Sequence, residues 1–84
     1  MIPVTIYTRP FCGFCSRALS LLGAKGATVD EIKAGFDPGK RAEMIGRSGA
    51  STFPQIFIGE RHIGGCDELM SLEQKGELDA LLRG

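Results

Sequence analysis

Tryptophan is absent, tyrosine and histidine occur once each, and there are only three cysteines in 84 residues. Cysteines so few, and odd in number, argue against a disulfide-stapled scaffold, which uses them densely and in pairs. Net charge is missing too. Ten basic residues balance ten acidic ones and neither sign forms a block, so the chain lacks the footprint of a nucleic-acid or membrane-surface binder. No apolar run approaches the roughly 20 residues of a membrane-spanning helix. The start, Met1-Ile2-Pro3-Val4, shows no basic-then-apolar secretory pattern. The expectation is a cytoplasmic chain with no nucleic-acid or membrane partner.

What is present reads as an ordinary folded protein, with 43% apolar and 24% charged residues. No repeat, linker or low-complexity tract divides it, so one domain over residues 1–84 is expected. Val4-Thr5-Ile6-Tyr7 alternates and is rich in β-branched residues, which predicts a strand. Arg9-Pro10-Phe11 interrupts it. A helix opening near Cys12 or Gly13 would turn Cys15, Ala18, Leu19 and Leu22 inward, and Gly23 and Gly26 bracket its stop. Residues 28–32 form a weaker strand candidate. Asp37-Pro38 marks a capped helix start, with Ala42, Met44 and Ile45 as its apolar side. Gln55–Ile58, turned by Gly59-Glu60 into Arg61–Ile63, predicts a hairpin. A terminal helical stretch carries Leu69, Met70 and Leu72, and the pattern repeats at Leu78, Leu81 and Leu82. The order strand-helix-strand-helix-strand-strand-helix predicts an α/β fold with a four-stranded mixed sheet flanked by helices.

Two cysteines two residues apart, after a strand and at a helix start, carry the chemistry. The thiolate is the nucleophile, and a helix N-terminus offers it unpaired amides and about half a positive charge. Cys12 stands at that end, with Arg9 adding positive potential, and should be the more exposed sulfur. Cys15 lies one turn inward on the apolar stripe, close enough to attack a mixed disulfide on Cys12. The spacing therefore assigns attack to Cys12 and resolution to Cys15. A structural metal site is the alternative, but it needs about four ligands. Only His62 and Cys66 are at hand to complete it, at an unfamiliar spacing. Otherwise His62 is expected at the surface, and Met44 and Met70 as core filler.

Thr8-Arg9-Pro10-Phe11-Cys12-Gly13-Phe14-Cys15, Thr52-Phe53-Pro54-Gln55-Ile56-Phe57-Ile58 and Gly64-Gly65-Cys66-Asp67-Glu68-Leu69 together resemble the three signature segments of a glutaredoxin of the bacterial dithiol type. The resemblance spans the chain. It implies the thioredoxin-like fold and a glutathione-dependent thiol–disulfide oxidoreductase, acting on protein disulfides and glutathione mixed disulfides, with glutathione as reductant, a role in cell redox homeostasis, and a monomeric state. It implies a cis Pro54 that brings the Phe53 backbone beside the cysteines, where glutathione could pair with it as an added strand. Cys66, through its amide, and Asp67 would hold the γ-glutamyl end. Arg9 would meet the glycyl carboxylate, with Tyr7 or Phe14 as the wall and Thr52 as a backbone neighbour. Gly13 and Gly65 would support the site.

Three departures stand out. Gly13-Phe14 replaces the proline and tyrosine common between the cysteines of dithiol members. Phe53 replaces a common valine, and Ala50 stands where relatives often carry an arginine that could assist the glycyl carboxylate, so weaker glutathione binding is implied. Cys-Gly-Phe also echoes monothiol glutaredoxins, which assemble a two-iron, two-sulfur cluster with glutathione between two subunits. In that alternative Cys12 would be the chain's iron ligand and no other metal site is expected. A thioredoxin-like protein fed by a flavoprotein reductase is a third reading; the missing Trp-Cys-Gly-Pro-Cys pattern disfavours it.

Overall fold

The computed structural model describes every residue, Met1–Gly84. Its elements are β1 (Val4–Thr8), α1 (Gly13–Ala24), β2 (Val29–Lys33), α2 (Pro38–Ser48), β3 (Gln55–Ile58), β4 (Arg61–Gly64), α3 (Cys66–Gln74) and α4 (Leu78–Arg83). The strands form one mixed sheet in the order β2-β1-β3-β4. β1 runs parallel to β2, through the α1 crossover, and antiparallel to β3, which pairs antiparallel with β4. This is the expected thioredoxin-like arrangement. The terminal apolar stretch divides in two, because Gly76 adopts a positive φ of 71° and ends the α3 segment before α4 begins.

Strand alternation builds two cores. Val4, Ile6, Ile56 and Ile58 point to one face, where Ala18 and Leu22 of α1, Leu69 of α3, and Leu78 and Leu82 of α4 close over them. Tyr7 and Phe57, one residue out of phase, point to the other face and meet Ala34 and Met44. Both faces of β1 and β3 are therefore covered, which explains their nearly continuous apolar character.

Helix α2 differs from expectation. Of its predicted apolar side only Met44 is buried; Ala42 is exposed and Ile45 is 41% exposed. Its packing face instead follows Glu43, Met44, Arg47 and Ser48, at spacings of three and four. Arg47 lies 4.2 Å over the Phe57 ring and donates to the Tyr7 hydroxyl at 2.9 Å, while that hydroxyl donates to Glu43 at 2.5 Å. A polar clamp does there what an apolar stripe does in α1. The N-cap reads as expected: Asp37 accepts from the Lys40 amide and Pro38 opens the helix.

Candidate active site

Between β1 and α1 the chain turns at Phe11, whose φ of 56° places a non-glycine residue in the left-handed region. That costs about 1–2 kcal/mol, and the Phe11 side chain is fully exposed, so packing recovers none of it. The turn delivers Cys12 to the N-cap of α1. There its Sγ accepts a hydrogen bond from the Cys15 amide at 3.2 Å, and its carbonyl accepts the first helical bond, from Ser16. The sulfur thus occupies the place of a capping oxygen, where amide donors and the helix dipole stabilise negative charge.

Cys12 is less exposed than the spacing predicts, whereas Cys15 is shielded as expected. Cys12 is 7% and Cys15 3% accessible, so the expected order holds but Cys12 is not prominent. All three cysteines are free thiols. Burial, followed by the neighbouring Cys12 sulfur, pushes the Cys15 thiol up to about 11. Cys15 therefore stays protonated at neutral pH, as a thiol that does not make the first attack should. Cys66 is buried as well, and burial is the main cause that raises its pKa. The Arg17 charge lowers it as the next largest influence, and Asp67 and Cys12 act in the same direction as burial.

Beside the cysteines runs a groove of two lobes that meet at Phe14, Thr52 and Phe53. One, of about 180 Å³, is completed by Pro54, Gln55, Gly65, Cys66, Asp67 and Glu68. The other, of about 470 Å³, is completed by Arg9, Gly35, Arg41 and Ser51. The Phe53–Pro54 peptide is cis, as the resemblance implies. An added Cβ at Gly65 would touch the Pro54 carbonyl at 3.4 Å, so this glycine permits close approach of the two segments. Next to it Gly64 has φ 115°, and a Cβ there would collide with Glu68. Glu68 in turn accepts from the Gly65 amide at 2.6 Å. The first helical bond of α3 runs from Leu69 to Gly65, which leaves the amides of Cys66 and Asp67 without an intrahelical acceptor. They are available to a carboxylate in the first lobe.

Most of the expected site residues thus converge: Arg9, Phe14, Thr52, Phe53, Pro54, Gly65, Cys66 and Asp67 all line the groove. Gly13 opens α1 with no atom within 4 Å of where its Cβ would stand. Tyr7 must be corrected. It is fully buried on the α2 face and lines neither lobe, and burial followed by the Glu43 hydrogen bond raises its pKa. It cannot form the wall assigned to it.

Several residues were not anticipated. Arg41, from the first turns of α2, lines the second lobe and lies 5.8 Å over the Phe53 ring. Nothing local in the sequence marks it. Gly35 has to be small, since a Cβ would stand 2.6 Å from the Arg9 Cβ and 2.8 Å from the Pro10 Cδ. Glu68 carried a readable signal, an acid three residues after the helix-capping position. No three His, Cys, Asp or Glu side chains are grouped to hold a metal ion, so His62 and Cys66 do not complete a set with the cysteine pair.

Comparison with known proteins agrees with this geometry. A family model described as glutaredoxin matches residues 4–63. Glutaredoxin of Pseudomonas aeruginosa is 51% identical over 82 residues, covering 98% of both chains. The solution structure of glutaredoxin from Brucella melitensis is similar at a TM-score of 0.84 and 58% identity, over 98% of this chain and 89% of that one. A buckwheat glutaredoxin–glutathione complex is similar at a TM-score of 0.86 and 33% identity, over 96% and 76%.

Proposed function

The chain belongs to the glutaredoxin family, and from that premise we propose that it is a glutathione-dependent oxidoreductase that reduces glutathione mixed disulfides and protein disulfides through Cys12 and Cys15. The observation that carries the proposal is the Cys12 sulfur at the N-cap of α1, beside a groove ending in the free amides of α3. The similar buckwheat protein is a complex with glutathione.

Glutathione lies across both lobes in this reading. Its γ-glutamyl carboxylate meets the Cys66 and Asp67 amides, and its ammonium group meets the Asp67 carboxylate. Its backbone pairs with that of Phe53. At the opposite end Arg9 and Arg41 face the glycyl carboxylate, and Arg41 supplies the cation that Ala50 does not. Phe14 forms the shared wall.

In the one-thiol route the Cys12 thiolate attacks the glutathione sulfur of a glutathionylated protein. The protein thiolate leaves and takes a proton, and glutathione remains bonded to Cys12. A second glutathione thiolate then attacks that glutathione sulfur, which releases glutathione disulfide and restores the Cys12 thiolate. With a protein disulfide, Cys12 forms a mixed disulfide and the first substrate thiol departs. Cys15 gives up its proton, attacks the Cys12 sulfur and expels the second substrate thiol. Two glutathiones reduce the resulting Cys12–Cys15 bond. A single 84-residue domain acting as a cytoplasmic monomer suffices for this cycle.

The test is glutathione-dependent reduction of a glutathionylated peptide. Wild type and Cys15→Ser are expected to turn over, and Cys12→Ser to lose about a thousandfold or more. Identical behaviour of the two variants refutes the assigned roles. An inert wild type refutes the activity, and a coloured, iron-containing dimer after anaerobic purification would then favour the cluster alternative.

A further inference from the structure

His62 is exposed, as its position predicts, yet its ring is engaged. Its ring stacks on Phe57 with centroids 4.9 Å apart, and its Nε2 lies 2.7 Å from the Gln55 Oε1. Gln55 is 4% exposed, and its Nε2 donates to the Thr52 carbonyl at 3.0 Å and to the Thr52 hydroxyl at 3.1 Å. Every polar atom of the Gln55 side chain is therefore engaged. The set has only one consistent polarity. Because the Thr52 carbonyl can only accept, the amide nitrogen must face it, and the amide oxygen is left to face His62. His62 must then carry its proton on Nε2. Turning the amide over would set two acceptors against each other at about 3 Å and leave the buried Gln55 amide mispaired, which is unfavourable.

The fold explains how an exposed histidine reaches this place. β3 and β4 carry a register irregularity between Ile56 and Phe57, after which Phe57 stands opposite His62 while Ile56 stands opposite Gly64. Gln55 is two residues before Phe57 and so shares its face. His62 thus lies diagonally across the ladder from Gln55, a separation that long side chains bridge. Thr52, at the far end of the chain of hydrogen bonds, is where the two lobes of the groove meet.

We infer that Gln55 is a positioning residue for glutathione recognition, which fixes the Thr52–Phe53 segment in the groove while His62 locks its amide in the productive orientation. This rests on the function proposed above. Gln55 acts through Thr52: it takes up the carbonyl that precedes Phe53, so the adjoining Phe53 backbone is presented to the ligand in one orientation. The β3–β4 hairpin becomes a brace for the binding segment, separate from the cysteine-bearing helix.

Steady-state kinetics on a glutathionylated peptide provide the test, with Gln55→Leu, His62→Phe and the double variant. His62→Phe keeps an aromatic ring on Phe57 and removes only the donor. Gln55→Leu is expected to raise KM about tenfold and His62→Phe about fourfold, with kcat and the alkylation rate of Cys12 by iodoacetamide within about twofold of wild type. The double variant should match Gln55→Leu, because His62 acts only through Gln55. Unchanged KM values, or effects that multiply in the double variant, overturn the inference. If wild type does not turn over at all, the functional reading fails separately. The positioning role is then decided by backbone order parameters at Thr52 and Phe53, which should fall from about 0.85 to below about 0.6 in Gln55→Leu if Gln55 orders the segment. Unaltered order parameters overturn it.

Discussion

Two cysteines stand at two helix N-termini beside one groove, and they are not equivalent. Cys12 occupies the cap of α1, outside the first helical residue, with its sulfur accepting the Cys15 amide. Cys66 is the first residue inside α3, where the cap is Gly65 and the acceptor of the cap amide is the Glu68 carboxylate. Both are buried, yet only one sulfur takes the place of a capping oxygen. In the proposed function the nucleophile is the sulfur that replaces a capping atom, not the one that merely lies near a helix end. At α1 the sulfur uses an amide, whereas at α3 the amides of Cys66 and Asp67 have no intrahelical acceptor.

The sharpest way to break this comparison is to alkylate all three cysteines. At pH 7, iodoacetamide should modify Cys12 at least about a hundredfold faster than Cys66, as read by peptide mass spectrometry; equal rates would end the distinction. Cys15 extends the test through pH. With its thiol held near about 11, only about one molecule in ten thousand carries that thiolate at pH 7. Raising the pH removes the proton, so Cys15 reactivity in Cys12→Ser should climb about tenfold per pH unit and level off below 11, because burial persists but the Cys12 sulfur that helps raise the pKa is gone.

A smaller effect tests the charged ends of the groove. Asp67→Asn and Arg41→Ala remove opposite charges from opposite ends of the groove. Each is expected to raise KM for a glutathionylated peptide about tenfold, ~1.4 kcal/mol, with kcat nearly unchanged. A fall in kcat without a change in KM would instead place these residues at the sulfur. The smallest effect lies at the α1 start. Gly13 has open space around its missing Cβ and no positive φ, so Gly13→Ala should stabilise the fold by ~0.4–1 kcal/mol in a urea melt. A loss of stability would mean that the α1 start tolerates no side chain after Cys12.

The strands and the cysteine pair were legible because their signals are local: β-branched alternation at Val4–Tyr7 and Gln55–Ile58, a spaced pair at a helix start, glycines beside Cys66. Tyr7 was misplaced although the same alternation held the answer. Val4 and Ile6 face α1, so Tyr7, one residue on, must face α2 and away from the cysteines. The apolar side of α2 was misread because Arg47, over Phe57, fills a place usually taken by an aliphatic residue. Arg41 and the Thr52–Gln55–His62 connection were illegible for another reason. They arise where distant segments meet, and no spacing along the chain encodes that Gln55 lies diagonal to His62 or Arg41 above Phe53.

Helix α2 is fastened by a single buried side chain, Met44, and by the arginine clamp, whereas α1 buries Cys15, Ala18 and Leu22. In terms of local unfolding, the two walls of the groove belong to regions of different cost to open. The wall bearing Arg41 belongs to the cheaper one. Local opening of α2 would therefore widen the second lobe while Cys12 and Cys15, at α1, keep their places.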